Sequence, residues 1–176
     1  MGHELEYPWS LYVTRSKKKT SQQITLQAWE ERLKKLSTFK EAEDFWQVYN
    51  NIKVPTDIYG RGDYYLFKGE ILPEWEHPTN ANGGAWILRT EYLEKINEQW
   101  LNTQLGLIGC FFLELMPHIC GAEMCVRMKR FRICLWIDTI EENIAIEIGR
   151  KFKELIGQET GLEFKKHFDE KVLYTI

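Results

Sequence analysis

Residues 122–138 read AEMCVRMKRFRICLWID, and their pattern is the clearest structural signal in the chain. Its apolar residues recur at every second position on both sides of a short turn, which is the period of a β-strand. We therefore predict two antiparallel strands, Ala122 to Lys129 and Arg132 to Asp138, joined at Arg130-Phe131. One face of the predicted hairpin is apolar and faces a core, with Ala122, Met124, Val126, Met128, Ile133, Leu135 and Ile137.

The opposite face of the hairpin combines cations with an aromatic residue. Arg127, Lys129, Arg132 and Trp136 share it, and we expect Trp136 to be exposed. A basic hairpin of this kind is more often a solubilised sheet edge. An exposed Trp among cations, however, also offers what a nucleotide needs, a π surface for the base and positive charge for the phosphates.

Further strands and helices extend outward from this hairpin. β-branched and aromatic residues predict strands at Ser10 to Arg15, Tyr64 to Lys68, Gly84 to Thr90, Leu162 to His167 and Lys171 to Ile176. Helical spacing predicts helices at Thr38 to Asn51, Glu91 to Gly109 and Ile140 to about Gly157. Capping boxes are expected at Thr38 with Glu41 and at Thr139 with Glu142. The fold class is α+β, an antiparallel sheet with helices on one face and the other face free.

Length and charge set bounds on organisation and partners. The 176 residues, 44% of them apolar, suit one domain, in which we expect residues 1–8 to be a flexible segment. The net charge of −3 gives no general attraction to polyanions or anionic membranes, so any anion site must be local. No apolar run is long enough to span a membrane, and we expect a cytoplasmic monomer, with the nucleus as a second compartment.

Metal and catalytic signatures are absent from the sequence. Cys110, Cys120, Cys125 and Cys134 form no CxxC pair and show no metal-ligand spacing, so we interpret them as free, buried thiols. The sequence contains no P-loop, no GxGxxG motif and no paired carboxylates beside the basic face. We therefore expect no metal, no cofactor and no enzymatic activity.

A loop rich in Pro, Asn and Gly, ILPEWEHPTNANGGAW at residues 71–86, sets Trp75 beside Glu76. A carboxylate accepts two parallel hydrogen bonds from the guanine edge, and an adjacent Trp can stack on the same base. On the dipeptide alone, a loop Trp folded onto the core beside a solvated Glu is the commoner explanation.

The motifs around this loop resemble the mRNA cap-binding translation initiation factor 4E family over nearly the whole chain. They are WE at 75–76, GGAW at 83–86, EDFWQVYN at 43–50, DYYLFK at 63–68, WLNT at 100–103, LIG at 107–109, CGA at 120–122 and IGR at 148–150. The resemblance implies a curved sheet with three helices on its convex face and the ligand site on its concave face.

The resemblance also implies a role for each site residue. Trp29 and Trp75 sandwich 7-methylguanosine, Glu76 reads the guanine edge, Trp136 touches the N7-methyl group, and Arg127, Lys129 and Arg132 hold the triphosphate. The spacing of Leu26, Trp29, Leu33 and Leu36 favours a helix, whereas the family has a loop followed by a strand there, and we follow the family.

A second site is implied on the opposite surface, for a scaffold or repressor helix with the pattern Tyr-x-x-x-x-Leu-apolar. Its residues would be His3, Trp46, Leu101, Leu105 and Ile108, with Trp46 partly exposed at the margin of an apolar stripe. Full burial of these side chains between sheet and helix is the alternative.

The sequence departs from the family at Ala85, at Asn102 and in a shortened C-terminal segment, where Lys165, Lys166 or His167 are candidates to replace the missing phosphate contacts. The leading hypothesis is a factor that binds the mRNA cap and recruits a scaffold protein to start translation. A cap-binding repressor and a nucleotide-processing enzyme are the alternatives.

Overall fold

Eight strands form one antiparallel sheet in the computed structural model, which describes residues 2–15, 32–58, 62–127, 130–157 and 161–176. The strands are β1 Glu4–Arg15, β2 Leu33–Glu41, β3 Gly62–Lys68, β4 Gly84–Thr90, β5 Ile119–Arg127, β6 Arg130–Ile137, β7 Glu163–Lys166 and β8 Val172–Thr175. Their spatial order is β2-β1-β3-β5-β6-β4-β7-β8. The predicted sheet is confirmed, and the hairpin of residues 122–138 lies at its centre.

Three α-helices of the described residues pack against one face of the curved sheet. They are α1 Ala42–Tyr49, α2 Leu93–Ile108 and α3 Glu142–Leu155, and short 3-10 helices cover Pro55–Ile58 and Leu113–His118. Trp86 of β4 is buried under α3 and donates a hydrogen bond from Nε1 to the Ala145 carbonyl over 2.7 Å. A Cβ at Gly149 would lie 2.4 Å from the Trp86 ring, so glycine permits this close packing. The predicted α+β class is confirmed.

The first helix begins later than predicted, and its capping box is a different one. Residues 38–41 belong to β2, where Phe39 is the register partner of Trp9 and both side chains are fully buried. The Thr38 hydroxyl lies 3.0 Å from the Ser10 hydroxyl of β1, so it bridges two strands instead of capping a helix. Glu41 and Asp44 form the observed capping box. Tertiary pairing has overridden the local helical pattern.

Strand β2 also covers the region of Leu33 and Leu36, for which residue spacing favours a helix and the family resemblance implies a strand. Leu33 and Leu36 lie in β2, so the helical spacing is wrong for these residues and the strand implied by the family resemblance is present. The sheet also includes the start of the chain, since β1 begins at Glu4 within the segment expected to be flexible. Strand β1 pairs with β2 on one side and β3 on the other, which holds it in place.

Smaller differences concern element ends. Strand β6 begins at Arg130, which is the register partner of Arg127, so Arg130 and Phe131 belong to the strand and not to the predicted turn. Helix α3 begins at Glu142 without the predicted capping box, because the Thr139 hydroxyl accepts a hydrogen bond from the Glu141 backbone over 3.1 Å. Both differences fall at boundaries, where patterns of side-chain spacing are least informative.

The cysteines are free thiols, as predicted, and Cys120, Cys125 and Cys134 are buried while Cys110 is partly exposed. Burial raises the pKa of the Cys120 thiol to about 12, which keeps it protonated at neutral pH. Within the described part of the chain, no cluster of His, Cys, Asp and Glu could hold a metal ion. None of the helices in that part is long and apolar enough to span a bilayer.

Candidate functional site

Three rows of side chains cross the sheet face opposite the helices, and strand register places them. The first row is aromatic and apolar, the second mixed, and the third rich in arginine. The first row consists of Phe67, Trp136 and Ala85. The second consists of Tyr65, Glu123, Cys134 and Ile87. The third consists of Asp63, Cys125, Arg132 and Arg89. The first and third rows are four residues apart along each strand, or about 13 Å. The face therefore changes from aromatic to cationic along the strands.

Trp136 lies at the aromatic end, on the predicted face of the sheet, but it is buried rather than exposed. Only 4% of it is accessible, because Phe67 contacts one side at 5.2 Å between ring centroids and His167 stacks over it at 4.2 Å. A Cβ at Gly121 would lie 2.5 Å from Phe67 Cγ, so glycine is required beneath this aromatic pair. The exposure predicted for Trp136 is wrong because the turn between β7 and β8 covers an apolar ring that the sequence pattern leaves open.

His167 is a neutral aromatic group in this site. Desolvation by burial lowers the pKa of its imidazole to about 4, and its buried Nε2 atom has no hydrogen-bond partner among the described residues. It therefore carries no positive charge for phosphates at neutral pH. The neighbouring Lys165 lines the same cleft and its Nζ lies 3.5 Å from Glu170 Oε2.

The loop between β3 and β4 presents Trp75 and Glu76 at the aromatic end. Trp75 is 49% exposed, which rules out the alternative of a loop Trp folded into the core, and its ring meets the edge of Phe168 at 5.8 Å. Asn80 fixes the loop from inside: its buried Nδ2 donates to the Leu72 carbonyl over 2.9 Å and to the Glu74 carbonyl over 2.7 Å. Two backbone carbonyls in the segment just before Trp75 are thereby tied together.

The cationic end contains arginines that carboxylates hold in place. Arg132 donates from Nη2 to Glu123 Oε1 over 3.2 Å, and Glu123 is itself nearly buried. Arg127 forms a bidentate pair with Asp63, with Nη1–Oδ1 at 2.5 Å and Nη2–Oδ2 at 3.0 Å, and this hydrogen bonding raises the pKa of its guanidinium. On β4, Arg89 pairs with Glu163. Each pair leaves further N–H donors of the guanidinium available.

A cleft of 480 Å³ runs over these rows, and its lining includes Trp75, Glu76, Trp136 and Arg132. Four of the predicted site residues thus come together in one cavity. Arg127 lines a second, adjoining cleft instead. Trp29 and Lys129 lie outside the described residues. A flat aromatic wall and a carboxylate at one end, with guanidinium groups at the other, suit a purine nucleotide that carries phosphates.

Four residues were not assigned these roles from the sequence: Arg89 and, as an aromatic group, His167 line the cleft, while Asn80 and Phe168 support Trp75 beside it. Asn80 sits in a segment of turn residues, so only its burial reveals its function. Arg89 is identified by its register opposite Arg132, which requires the strand pairing to be known.

The predicted partner site lies on the helical side of the molecule. Trp46 of α1 is 40% exposed, as its position at the margin of the apolar stripe predicts, and its ring contacts Tyr49 at 5.6 Å. His3 binds Glu43 through its backbone N–H to Oε2 over 2.9 Å and through Nδ1 at 2.7 Å from Oε1, which lowers the pKa of Glu43 to about 2. On α2, Leu101 and Leu105 are partly exposed.

Ile108 differs from the other predicted members of the partner site. It lies at the end of α2 and is only 6% exposed, because it packs into the main core. Its side chain can therefore support a partner surface from below but offers little area of its own.

The family model described as eukaryotic initiation factor 4E matches residues 4–173. The chain is 36% identical over 174 residues to the eukaryotic translation initiation factor 4E-2 of Solanum lycopersicum, covering 98% of this chain and 76% of the relative. Ascaris suum eIF4E-3, solved in complex with an m2,2,7G cap, superposes with a TM-score of 0.91 at 29% identity, over 100% of this chain and 99% of that one. Schistosome eIF4E, solved with m7GpppG and 4E-BP, gives a TM-score of 0.87 at 30% identity with both chains fully covered.

Proposed function

The chain belongs to the eukaryotic initiation factor 4E family, and on that premise we propose that it binds the 7-methylguanosine cap of mRNA and recruits a scaffold protein to start translation. The observation that carries the proposal is the cleft in which a half-exposed Trp75 and the adjacent Glu76 face the aromatic end while Arg132 lines the cationic end. Solved relatives hold cap analogues and 4E-binding proteins.

The base of the cap enters at the aromatic end. Trp75 supplies one wall of the sandwich and Trp29 the other, while Glu76 accepts the N1 and N2 protons of guanine. Methylation at N7 makes the purine cationic, so each indole face adds a cation-π attraction of about 0.5–2 kcal/mol to ordinary stacking. Trp136, buried beside the cleft, provides an apolar surface for the N7-methyl group.

The phosphates extend toward the arginine row. Arg132 lines the cleft itself, and Arg127 follows at its far end, so the triphosphate would meet Arg132 first and then Arg127 with Lys129. The carboxylates of Asp63 and Glu123 hold the guanidinium groups of Arg127 and Arg132 in place before the ligand binds, and this reduces the side-chain entropy lost on binding. Neutral His167 contributes shape rather than charge.

The helical side receives the scaffold protein. Trp46, Leu101 and Leu105 offer exposed apolar area to a Tyr-x-x-x-x-Leu-apolar helix, Ile108 supports them from the core, and His3 contributes at the edge of α1. Binding rather than catalysis is the role in both sites, and we place the protein in the cytoplasm as a monomer of one domain.

A fluorescence titration tests the proposal. Stacking of the cap on Trp75 should quench indole emission, so 7-methyl-GTP should quench strongly and GTP weakly. Trp75→Ala and Trp29→Ala should each remove most cap binding, because base stacking is worth about 1–3 kcal/mol. Trp46→Ala, which also removes one indole, is the matched control and should keep the methyl-dependent quenching. Equal affinity of the wild type for 7-methyl-GTP and GTP would overturn the cap assignment.

A further inference from the structure

A second cleft continues the candidate cap site beyond its cationic end. It measures 1180 Å³ and shares Arg89 and Arg132 with the first cleft, so these two arginines form the border between them. Arg127 and Arg130, which are register partners on β5 and β6, line only the second cleft. A ligand whose phosphates reach Arg132 would therefore enter the second cleft if it continued in the same direction.

The second cleft concentrates positive charge on a chain whose net charge is −3. Its lining contains two acidic residues, Glu91 and Glu94, and five basic residues, Arg89, Lys95, Arg127, Arg130 and Arg132. Arg89, Arg127 and Arg132 each have a carboxylate partner. Arg130 and Lys95 are exposed and take part in no ion pair within the described portion of the chain. These two are the cations available to a new anion.

An exposed aromatic ring stands at the rim of the same cleft. Tyr92 is 78% exposed, directly before α2, and its backbone N–H donates to the Thr90 hydroxyl over 3.0 Å, which fixes its backbone. A solvated Tyr ring beside unpaired cations provides a stacking surface for a base while the cations neutralise the flanking phosphates.

We propose that the second cleft binds the nucleotides that follow the cap, with Arg130 and Lys95 on the RNA phosphates and Tyr92 stacked on a base. This inference rests on the proposed function, because the cap is what brings the RNA to the border arginines. Continuity with the cap cleft favours RNA over an acidic peptide, which would match the charge but would have no reason to begin at Arg132. The cleft thus adds affinity for capped RNA beyond that for the cap alone.

The test compares two ligands, 7-methyl-GTP and a short capped oligoribonucleotide of adenine and cytosine that forms no hairpin. The wild type should bind the capped oligonucleotide more tightly. Arg130→Ala and Tyr92→Ala should each weaken its binding by about fivefold or more, from at least ~1 kcal/mol of lost phosphate or stacking contact. Both variants should keep 7-methyl-GTP affinity within about twofold.

Conservative variants and the salt dependence of binding distinguish the phosphate contact of Arg130 from the base stacking of Tyr92. Arg130→Lys and Tyr92→Phe should retain most of the binding. Arg130→Ala should reduce the slope of log affinity against log salt by about 1, whereas Tyr92→Ala should leave the slope unchanged. Arg150→Ala, an exposed arginine on α3, is the matched control and should behave as wild type.

Three outcomes would overturn the inference: equal wild-type affinity for both ligands, no effect of either variant on the oligonucleotide, or displacement of the oligonucleotide by an acidic peptide but not by uncapped RNA. Failure of the proposed function gives a different result, since the wild type would then not bind 7-methyl-GTP. In that case the wild type should still bind an uncapped 5′-triphosphate oligonucleotide, and Arg130→Ala should bind it more weakly. If the wild type does not bind this oligonucleotide, the second cleft is not an RNA site.

Discussion

The imidazole of His167 lies 4.2 Å from the indole of Trp136, with 39° between the ring planes, and closes the aromatic end of the candidate cap site. The contact joins the turn between β7 and β8 to the central hairpin of the sheet. It requires a neutral imidazole, because protonation would place a charge in a desolvated position.

His167 should make stability depend on pH. Its folded-state pKa of about 4 lies below the ordinary value of 6.5, so the unfolded chain binds more protons between these values. The contribution is present above pH 6.5 and is lost as the pH falls toward 4, with a loss of about 1–3 kcal/mol. Urea unfolding across this range should show a flatter pH dependence for His167→Gln than for wild type. A wild-type slope in His167→Gln would contradict the prediction.

Asn80 should position Trp75. Asn80→Ala removes two buried hydrogen bonds to the Leu72 and Glu74 carbonyls, each worth about 1 kcal/mol, so both thermal stability and 7-methyl-GTP affinity should fall. Asn51→Ala is the matched control, because Asn51 also donates from Nδ2 to a backbone carbonyl, at 2.7 Å, but in an exposed position. A variant of Asn80 that melts earlier yet binds 7-methyl-GTP with wild-type affinity would show that the amide stabilises the loop without orienting the indole.

Arg132 should act on phosphate rather than on the base. Arg132→Ala is expected to weaken 7-methyl-GTP binding while leaving the 7-methylguanosine nucleoside nearly unaffected, and to lower the salt slope of 7-methyl-GTP binding by about 1. Calorimetry at several salt concentrations measures both effects, with Arg150→Ala as the control on α3. Equal losses for nucleoside and nucleotide would place Arg132 away from the phosphate path.

The cap and partner sites should be independent. Glu76→Gln replaces an acceptor by a donor that opposes the guanine N–H groups, so cap affinity should fall while binding of a Tyr-x-x-x-x-Leu-apolar peptide persists. Trp46→Ala should have the reverse effect, because its ring lies on α1, across the sheet from the cleft. Glu147→Gln, an exposed acid on α3, controls for loss of charge. If Trp46→Ala melts at a much lower temperature and loses both ligands, Trp46 belongs to the core.

Strand pairing and face assignment could be predicted from sequence where the alternation was long. Strands β5 and β6 place Met124, Val126, Ile133 and Leu135 in the main core and Cys134 and Trp136 on the opposite face, as the period of two requires. Helix α2 likewise buries Ile96, Trp100 and Leu107, which recur at helical spacing. These patterns succeed because one face of each element is buried, so the side chains themselves record the geometry.

Burial from distant segments could not be predicted. Phe39 fitted a helical stripe but pairs with Trp9, thirty residues earlier in the chain, and Thr38 bonds to Ser10 rather than to its own helix. The sequence pattern predicted an exposed Trp136, but the turn near His167 covers its ring. In each case the deciding contact comes from a segment that is remote in sequence, which local spacing does not encode.

The antiparallel sheet, the cationic face of its central hairpin and the position of Trp75-Glu76 in a loop follow from local features of the sequence, because strand alternation and turn residues are local properties of the chain. Which side chains share a cleft depends on the folded arrangement. Register brings Arg89 beside Arg132, and Asn80 holds the backbone on which Trp75 stands. The first relationship depends on backbone hydrogen bonds between two strands that are distant in sequence, and the second on the burial of the Asn80 amide inside its loop.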